Sequence, residues 1–130
     1  KNSEEIDLAV NEVNSIENHK EFVNFLCDLL EYDWHFDHED VVQILQKIGD
    51  AQAINILHKT ALRKFEYLEY DDSKTLARKC TWALADIGTK EAKAALIELT
   101  SNSNKEIAGF AQKRIDNWEK ASPRKKHSSL

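Results

Sequence analysis

The stretch "VVQILQKIGDAQAINIL", residues 41–57, decides the fold, because it returns as "CTWALADIGTKEAKAAL", residues 80–96. Laid over each other, the two copies place Leu45 on Leu84, Ile48 on Ile87, Gly49 on Gly88, Ala53 on Ala92 and Leu57 on Leu96, an offset of 39 residues. Each copy is an apolar stripe at helical spacing, a glycine, and a second stripe. The glycine is placed to take the left-handed conformation that ends a helix, and Asp50 follows as an N-cap for the next one. A third, partial copy is "EIAGFAQKRIDNW", residues 106–118, with Ala111 on Ala83 and Ile115 on Ile87 at an offset of 28. A helix pair cannot bury its apolar face alone, so pairs repeating at this period are expected to stack on one another.

Working outward, Phe22, Phe25, Leu26, Leu29 and Leu30 make an earlier amphipathic stripe, and Ile6, Val10, Val13 and Ile16 another before it. A helix from about His38 to Ile48 begins the first full copy. The chain has 130 residues, room for one domain. Three glycines and one proline among many Ala, Leu, Glu and Lys favour helices over sheets with tight hairpins. No apolar run reaches the roughly 18 residues of a membrane span, and no leader with a small-residue cleavage site is visible. The chain reads as soluble; lacking methionine and starting at Lys1, it is expected to begin after the native initiator, with a removed leader left open. Cys27 and Cys80 are far apart, without CxxC or Cys/His spacing. They indicate neither zinc nor a disulfide framework, and a reducing cytoplasm is the expected location. Cys80 falls in an apolar stripe and reads as core packing.

The segment "ARKCTWALADIGTKEAKAALIEL", followed by "EIAGFAQKRIDNW", resembles HEAT-type repeats of the short class, similar to those of phycobilisome-lyase-like proteins. The resemblance covers residues 38–118 and implies a curved stack of antiparallel helix pairs that holds other macromolecules, without implying one activity. The expectation is an all-α protein, an α-solenoid of about three stacked pairs over residues 1–120, with a disordered basic tail at 121–130.

The two offsets differ by eleven residues, and the extra length falls between repeats around "KFEYLEYDD", residues 64–72. The preceding connection is "EYDWHFDHED", residues 31–40. Equivalent connections of a solenoid lie along one edge. The two stretches are therefore expected to form one acidic, aromatic patch, its partner-binding residues being Asp33, Trp34, Asp37, Glu39, Asp40, Glu66, Tyr67, Glu69, Tyr70, Asp71 and Asp72. Charge divides the same way. Residues 1–72 hold 17 Asp and Glu against 6 Lys and Arg, net −11, while residues 73–130 hold 6 against 12, net +6. Such asymmetry suits electrostatically guided contact, or simply two solvated faces of opposite sign.

Chemistry finds less support. "HEDVVQILQKIG" also resembles one repeat of the deoxyhypusine hydroxylases, in which His-Glu pairs on several helices hold two irons. The place matching His38-Glu39 one repeat on is Ala77-Arg78, and no second His-Glu pair exists. No metal or other cofactor is expected; instead Asp37 is expected to cap the helix, with His38, Glu39 and Asp40 in its first turn, where His38→Ala should leave folding nearly unchanged. No nucleophile elbow or glycine-rich phosphate loop is present. Direct nucleic-acid binding is disfavoured by the acidic half. The basic residues Lys113, Arg114, Lys120, Arg124, Lys125 and Lys126 collect in the last helix and tail. His19 and His58 read as ordinary helix residues, Trp82 as core, Trp118 as a closing residue of the last repeat, and Trp34 as either a local anchor or a binding hot spot.

These readings lead to a non-enzymatic protein-binding module with a basic protein partner. In its most specific form it is an immunity or inhibitor protein covering a nuclease toxin. An adaptor or chaperone of a larger assembly is the alternative, and a metal-dependent oxygenase a weaker third. The chain is expected to be a monomer or weakly self-associating.

Overall fold

The computed structural model describes residues 19–32, 35–68 and 74–118. Among the described residues there are six α-helices and no strand: α1 (His19–Glu31), α2 (His38–Ile48), α3 (Ile54–Leu62), α4 (Thr75–Ile87), α5 (Lys90–Leu99) and α6 (Lys105–Asp116). The stripe Ile6, Val10, Val13 and Ile16 and the tail 121–130 lie outside the described residues.

Both turn glycines behave as the repeat requires. Gly49 has φ 69° and donates its N–H to the Leu45 carbonyl at 2.9 Å; Gly88 has φ 74° and reaches the Leu84 carbonyl at 3.3 Å. This left-handed conformation costs glycine little and any larger residue more. Each turn then restarts the chain with a side-chain cap. Asp50 accepts from the Gln52 N–H at 2.8 Å, opening a 3-10 turn (Ala51–Ala53) that runs into α3, and Thr89 accepts from the Ala92 N–H at 3.1 Å to start α5. Asn104 does the same for α6.

Helix α4 is the centre of the molecule, packed against α2, α3, α5 and α6. Its buried residues are mostly small, Ala77, Cys80, Thr81, Ala83 and Ala85 beside Leu76, Leu84 and Ile87, so neighbours can approach from several sides. Helices one repeat apart lie beside each other. Gln46 donates to Asp86 at 2.7 Å, Lys79 pairs with Glu39 at 3.3 Å and His58 with Glu98 at 3.8 Å, each pair 40 positions apart. That is the repeat offset displaced by one residue, and it identifies the stack as a HEAT-like solenoid of packed helix pairs. The connections between successive pairs are 32–37, 63–74 and 100–104, so the added length does fall before α4.

Trp82 departs from the core reading. It is exposed on α4, with the Arg114 guanidinium 3.5 Å from its ring centre. Its ring meets Arg114 of α6 in a cation–π contact. Trp118 packs against the core with Lys93 5.5 Å from its ring centre. Cys80 is fully buried, and burial pushes its thiol pKa far up; Cys27, half-buried, is pushed up to about 11 by burial and by Asp28 and Asp50. Neither is a poised nucleophile. No helix among the described residues is long and apolar enough to cross a membrane.

Candidate functional site

A helix leaves its last carbonyls without partners. At the end of α1 these are met by side chains from the following connection, from the start of α2 and from the residue after α3. His35 Nε2 donates to the Leu29 carbonyl at 2.6 Å, Arg63 donates to Leu30 at 3.3 Å and to Glu31 at 2.7 Å, and His38 Nε2 donates to the Tyr32 carbonyl at 2.6 Å. The guanidinium also suits the negative end of the α1 dipole and lies 4.6 Å from the Phe65 ring centre. Lys59 adds an ion pair to Glu31 at 3.0 Å. His35, His38 and Arg63 thus converge on the same helix end.

Partner chemistry fixes both histidine tautomers. A carbonyl only accepts, so each Nε2 carries the proton; His35 Nδ1 accepts the Asp37 N–H at 3.0 Å and His38 Nδ1 accepts the Tyr67 hydroxyl at 2.6 Å. The two rings stack 4.2 Å apart, and both residues are buried. Burial lowers the His38 pKa, the hydrogen bond to Tyr32 raises it, and His35 and Arg63 lower it further, with Asp37 acting in the opposite direction. Every ring nitrogen of the pair is committed to a hydrogen bond, and neither offers a lone pair for coordination. No group of three or more ligand-type side chains among the described residues could hold a metal ion.

Around His38 the aromatics converge. Phe65 lies 4.1 Å from its ring centre, Tyr67 5.5 Å, and Phe36 meets the edge of Tyr67 at 5.0 Å. The outer layer is open: Phe36 is 73% exposed and Tyr32 50%. Tyr67 is pushed up to about 12 by burial, against a hydrogen bond with His38, and further by the carboxylates of Glu39, Asp37 and Asp40. The three carboxylates therefore act on the same ring that carries Phe36.

Of the predicted site residues, Asp37, Glu39 and Asp40 stand at the start of α2, where their charge raises the Tyr67 pKa and Glu39 is paired with Lys79, Tyr67 is bonded to His38, and Glu66 opens the adjoining 3-10 turn (Glu66–Leu68). Asp33, Trp34, Glu69, Tyr70, Asp71 and Asp72 lie outside the described residues. Asp37 does stand at the N-cap of α2, but its side chain makes no capping hydrogen bond; its N–H is engaged with His35 instead. His38 is no surface residue of the first turn. It is buried and bonded at both ring nitrogens, so its place in an exposed first turn is corrected, and His38→Ala is now expected to cost stability. Tyr32 and Phe36 fall inside the predicted patch without having been singled out, and Arg63 was missed. Arg63 carries a readable sign, being one of only six basic residues among the first 72, directly before the insertion.

Elsewhere His19 sits 3.5 Å from Asp50 and His58 pairs with Glu98, both on helix surfaces. Lys113 and Arg114 lie on α6, at the other end of the stack, while Lys120, Arg124, Lys125 and Lys126 are outside the described residues.

Residues 76–102 match the family model of the PBS lyase HEAT-like repeat, a span covering nearly all of α4, the Gly88 turn, α5 and the start of the next connection. No curated protein and no solved structure matches the chain.

Proposed function

We propose that this chain is a non-enzymatic protein-binding module whose aromatic, acidic edge takes a basic protein partner. The observation that carries this reading is Phe36, exposed over most of its surface and in edge contact with Tyr67, next in the chain to Asp37 and to the first turn of α2 with its Asp40 carboxylate. In an interface that ring supplies contact area at little entropy cost, while the carboxylates steer a cationic partner. The HEAT-like repeats support the general role of a scaffold that presents such an edge.

In its most specific form the partner is a nuclease toxin and this protein its immunity factor, its carboxylates standing where substrate phosphates would go. The match to the PBS lyase HEAT-like repeat favours a second reading, an adaptor or chaperone that holds a subunit of a larger assembly. Both cysteines are free thiols, which suits a reducing cytoplasm. A pull-down from the source cell tests the edge, using the wild-type chain beside Phe36→Ala and an Asp37→Lys/Asp40→Lys variant. A basic protein retained by the wild-type and lost from both variants supports the proposal; equal retention by all three removes it. A retained protein that cuts nucleic acid, and is silenced by the wild-type chain, selects the immunity form.

A further inference from the structure

A second exposed aromatic lies on the α4–α6 face, and the charge around it has the opposite sign. Trp82 is 37% exposed, with the Arg114 guanidinium 3.5 Å from its ring centre. Arg78, exposed, stands one helical turn before Trp82, and Phe110, half-buried, stands one turn before Arg114. Burial lowers the Arg114 pKa and the charge of Arg78 lowers it further, with Asp86 acting in the opposite direction, so the two guanidiniums are near enough to repel. Tryptophan and arginine are the residue types that most often dominate protein interfaces. A phosphate strand fits this face less well, because Glu39 of α2 brings a carboxylate within 3.3 Å of Lys79, the neighbour of Arg78 in the chain.

The face repeats the composition of the edge with the charge reversed. At the edge, exposed Phe36 is followed by Asp37 and by the exposed Asp40 in the first turn of α2; on the face, exposed Trp82 has Arg78 and Arg114 for neighbours. The imbalance runs through the whole chain, net −11 over residues 1–72 and net +6 over residues 73–130. Within one molecule each ring has its own neighbour, Phe36 meeting Tyr67 and Trp82 meeting Arg114.

We propose that the α4–α6 face docks the aromatic, acidic edge of a second copy of this chain, with Phe36 on the Trp82 indole and Asp40 between Arg78 and Arg114. A carboxylate placed there relieves the repulsion of the two guanidiniums, and the ring pair supplies the apolar area. The contact is heterologous. Each pair leaves one edge and one face open, so copies add head to tail. It is also weak, because every copy carries net −5 and whole molecules repel, leaving only the local match within a Debye length of about 10 Å to hold them. Docking of this kind rests on the edge being a binding surface, as proposed above, but needs no foreign partner. A basic protein that takes the edge would break the copies apart.

Sedimentation velocity of the purified chain between about 10 μM and about 1 mM is the test. The mean sedimentation coefficient is expected to rise with concentration at about 0.1 M salt and to stay at the monomer value at about 1 M, where the Debye length is about 3 Å. Two variants break the contact from opposite sides, Phe36→Ala/Asp40→Lys at the edge and Arg78→Glu/Trp82→Ala on the face. Each alone should remain monomeric. Mixed in equal amounts they should form a pair and nothing larger, because one retains the face and the other the edge. Circular dichroism checks that both are folded, and Arg78→Glu alone, which leaves the Trp82–Arg114 contact whole, should weaken association about tenfold. A monomeric wild-type chain, association that survives in either double variant, or a mixture of the two that stays monomeric would each overturn the docking. The pull-down of a foreign partner by the edge is read independently of all three.

Discussion

His38 Nδ1 lies 2.6 Å from the Tyr67 hydroxyl, joining the start of α2 to the insertion 29 residues further along. The same ring holds the Tyr32 carbonyl through its other nitrogen, so one buried side chain ties the end of α1 to two later segments. The aromatic edge is therefore a structural junction underneath and an open surface above.

Truncating the junction should be costly. His38→Ala removes a buried ring and leaves both the Tyr32 carbonyl and the Tyr67 hydroxyl unpaired, a loss of about 3 kcal/mol or more. Tyr67→Phe deletes only one partner and should cost about 1–2 kcal/mol. Phe36→Ala, by contrast, should stay within about 0.5 kcal/mol, because the ring is mostly exposed. Urea midpoints at fixed pH separate the three; a neutral His38→Ala would refute the junction.

Acid should loosen the same place. The His38 pKa is lowered in the folded chain from 6.5, so below that pH the unfolded chain binds a proton that the folded chain resists. Stability from this group is complete above about pH 6.5 and is lost as pH falls toward the folded value, at up to about 1.4 kcal/mol per pH unit. Comparing urea midpoints of the wild-type and His38→Gln between pH 7.5 and 5.5 isolates the effect from the carboxylates. The variant should show the shallower fall.

Two glycine substitutions should have opposite signs. Gly88→Ala forces a side chain into φ 74° and should destabilise by about 1 kcal/mol or more. Gly109 is exposed within α6, and a Cβ added there meets nothing within 4 Å. Gly109→Ala should stabilise by about 0.5–1 kcal/mol through helix propensity. Melting temperatures of both variants decide the matter; destabilisation by Gly109→Ala would contradict the open space around it.

Binding at the edge should separate kinetically once the partner is in hand. Asp37→Asn and Asp40→Asn act on long-range attraction, so they should slow association at low salt and matter little once the Debye length shrinks to about 10 Å. Phe36→Ala should instead speed dissociation, by about 2 kcal/mol if the ring fills a desolvated pocket. Surface plasmon resonance at two salt concentrations reads both rates. Charge variants that change only dissociation would mean the carboxylates are local contacts and steer nothing.

Local pattern alone gives the repeat. Leu45 and Leu84, Leu57 and Leu96, Gly49 and Gly88 occupy equivalent places because helical period and the glycine stop are local rules, legible wherever a stripe is long enough. The offsets also located the insertion, since a change of period marks added chain. What the sequence could not decide was which polar residues go inside. Asp37, His38 and Glu39 are alike on paper. Only the tertiary structure shows that His38 is buried against carbonyls freed by the end of α1, because its partners come from residues 32 and 67. Trp82 is the converse case. Its apolar character predicted the core, but where an indole on α4 points depends on which neighbour packs against that face, and there it meets Arg114. Local periodicity fixes elements and turns; the pairing of a buried polar group or the cover of an exposed ring is a contact between distant segments, and it exists only once the stack has formed.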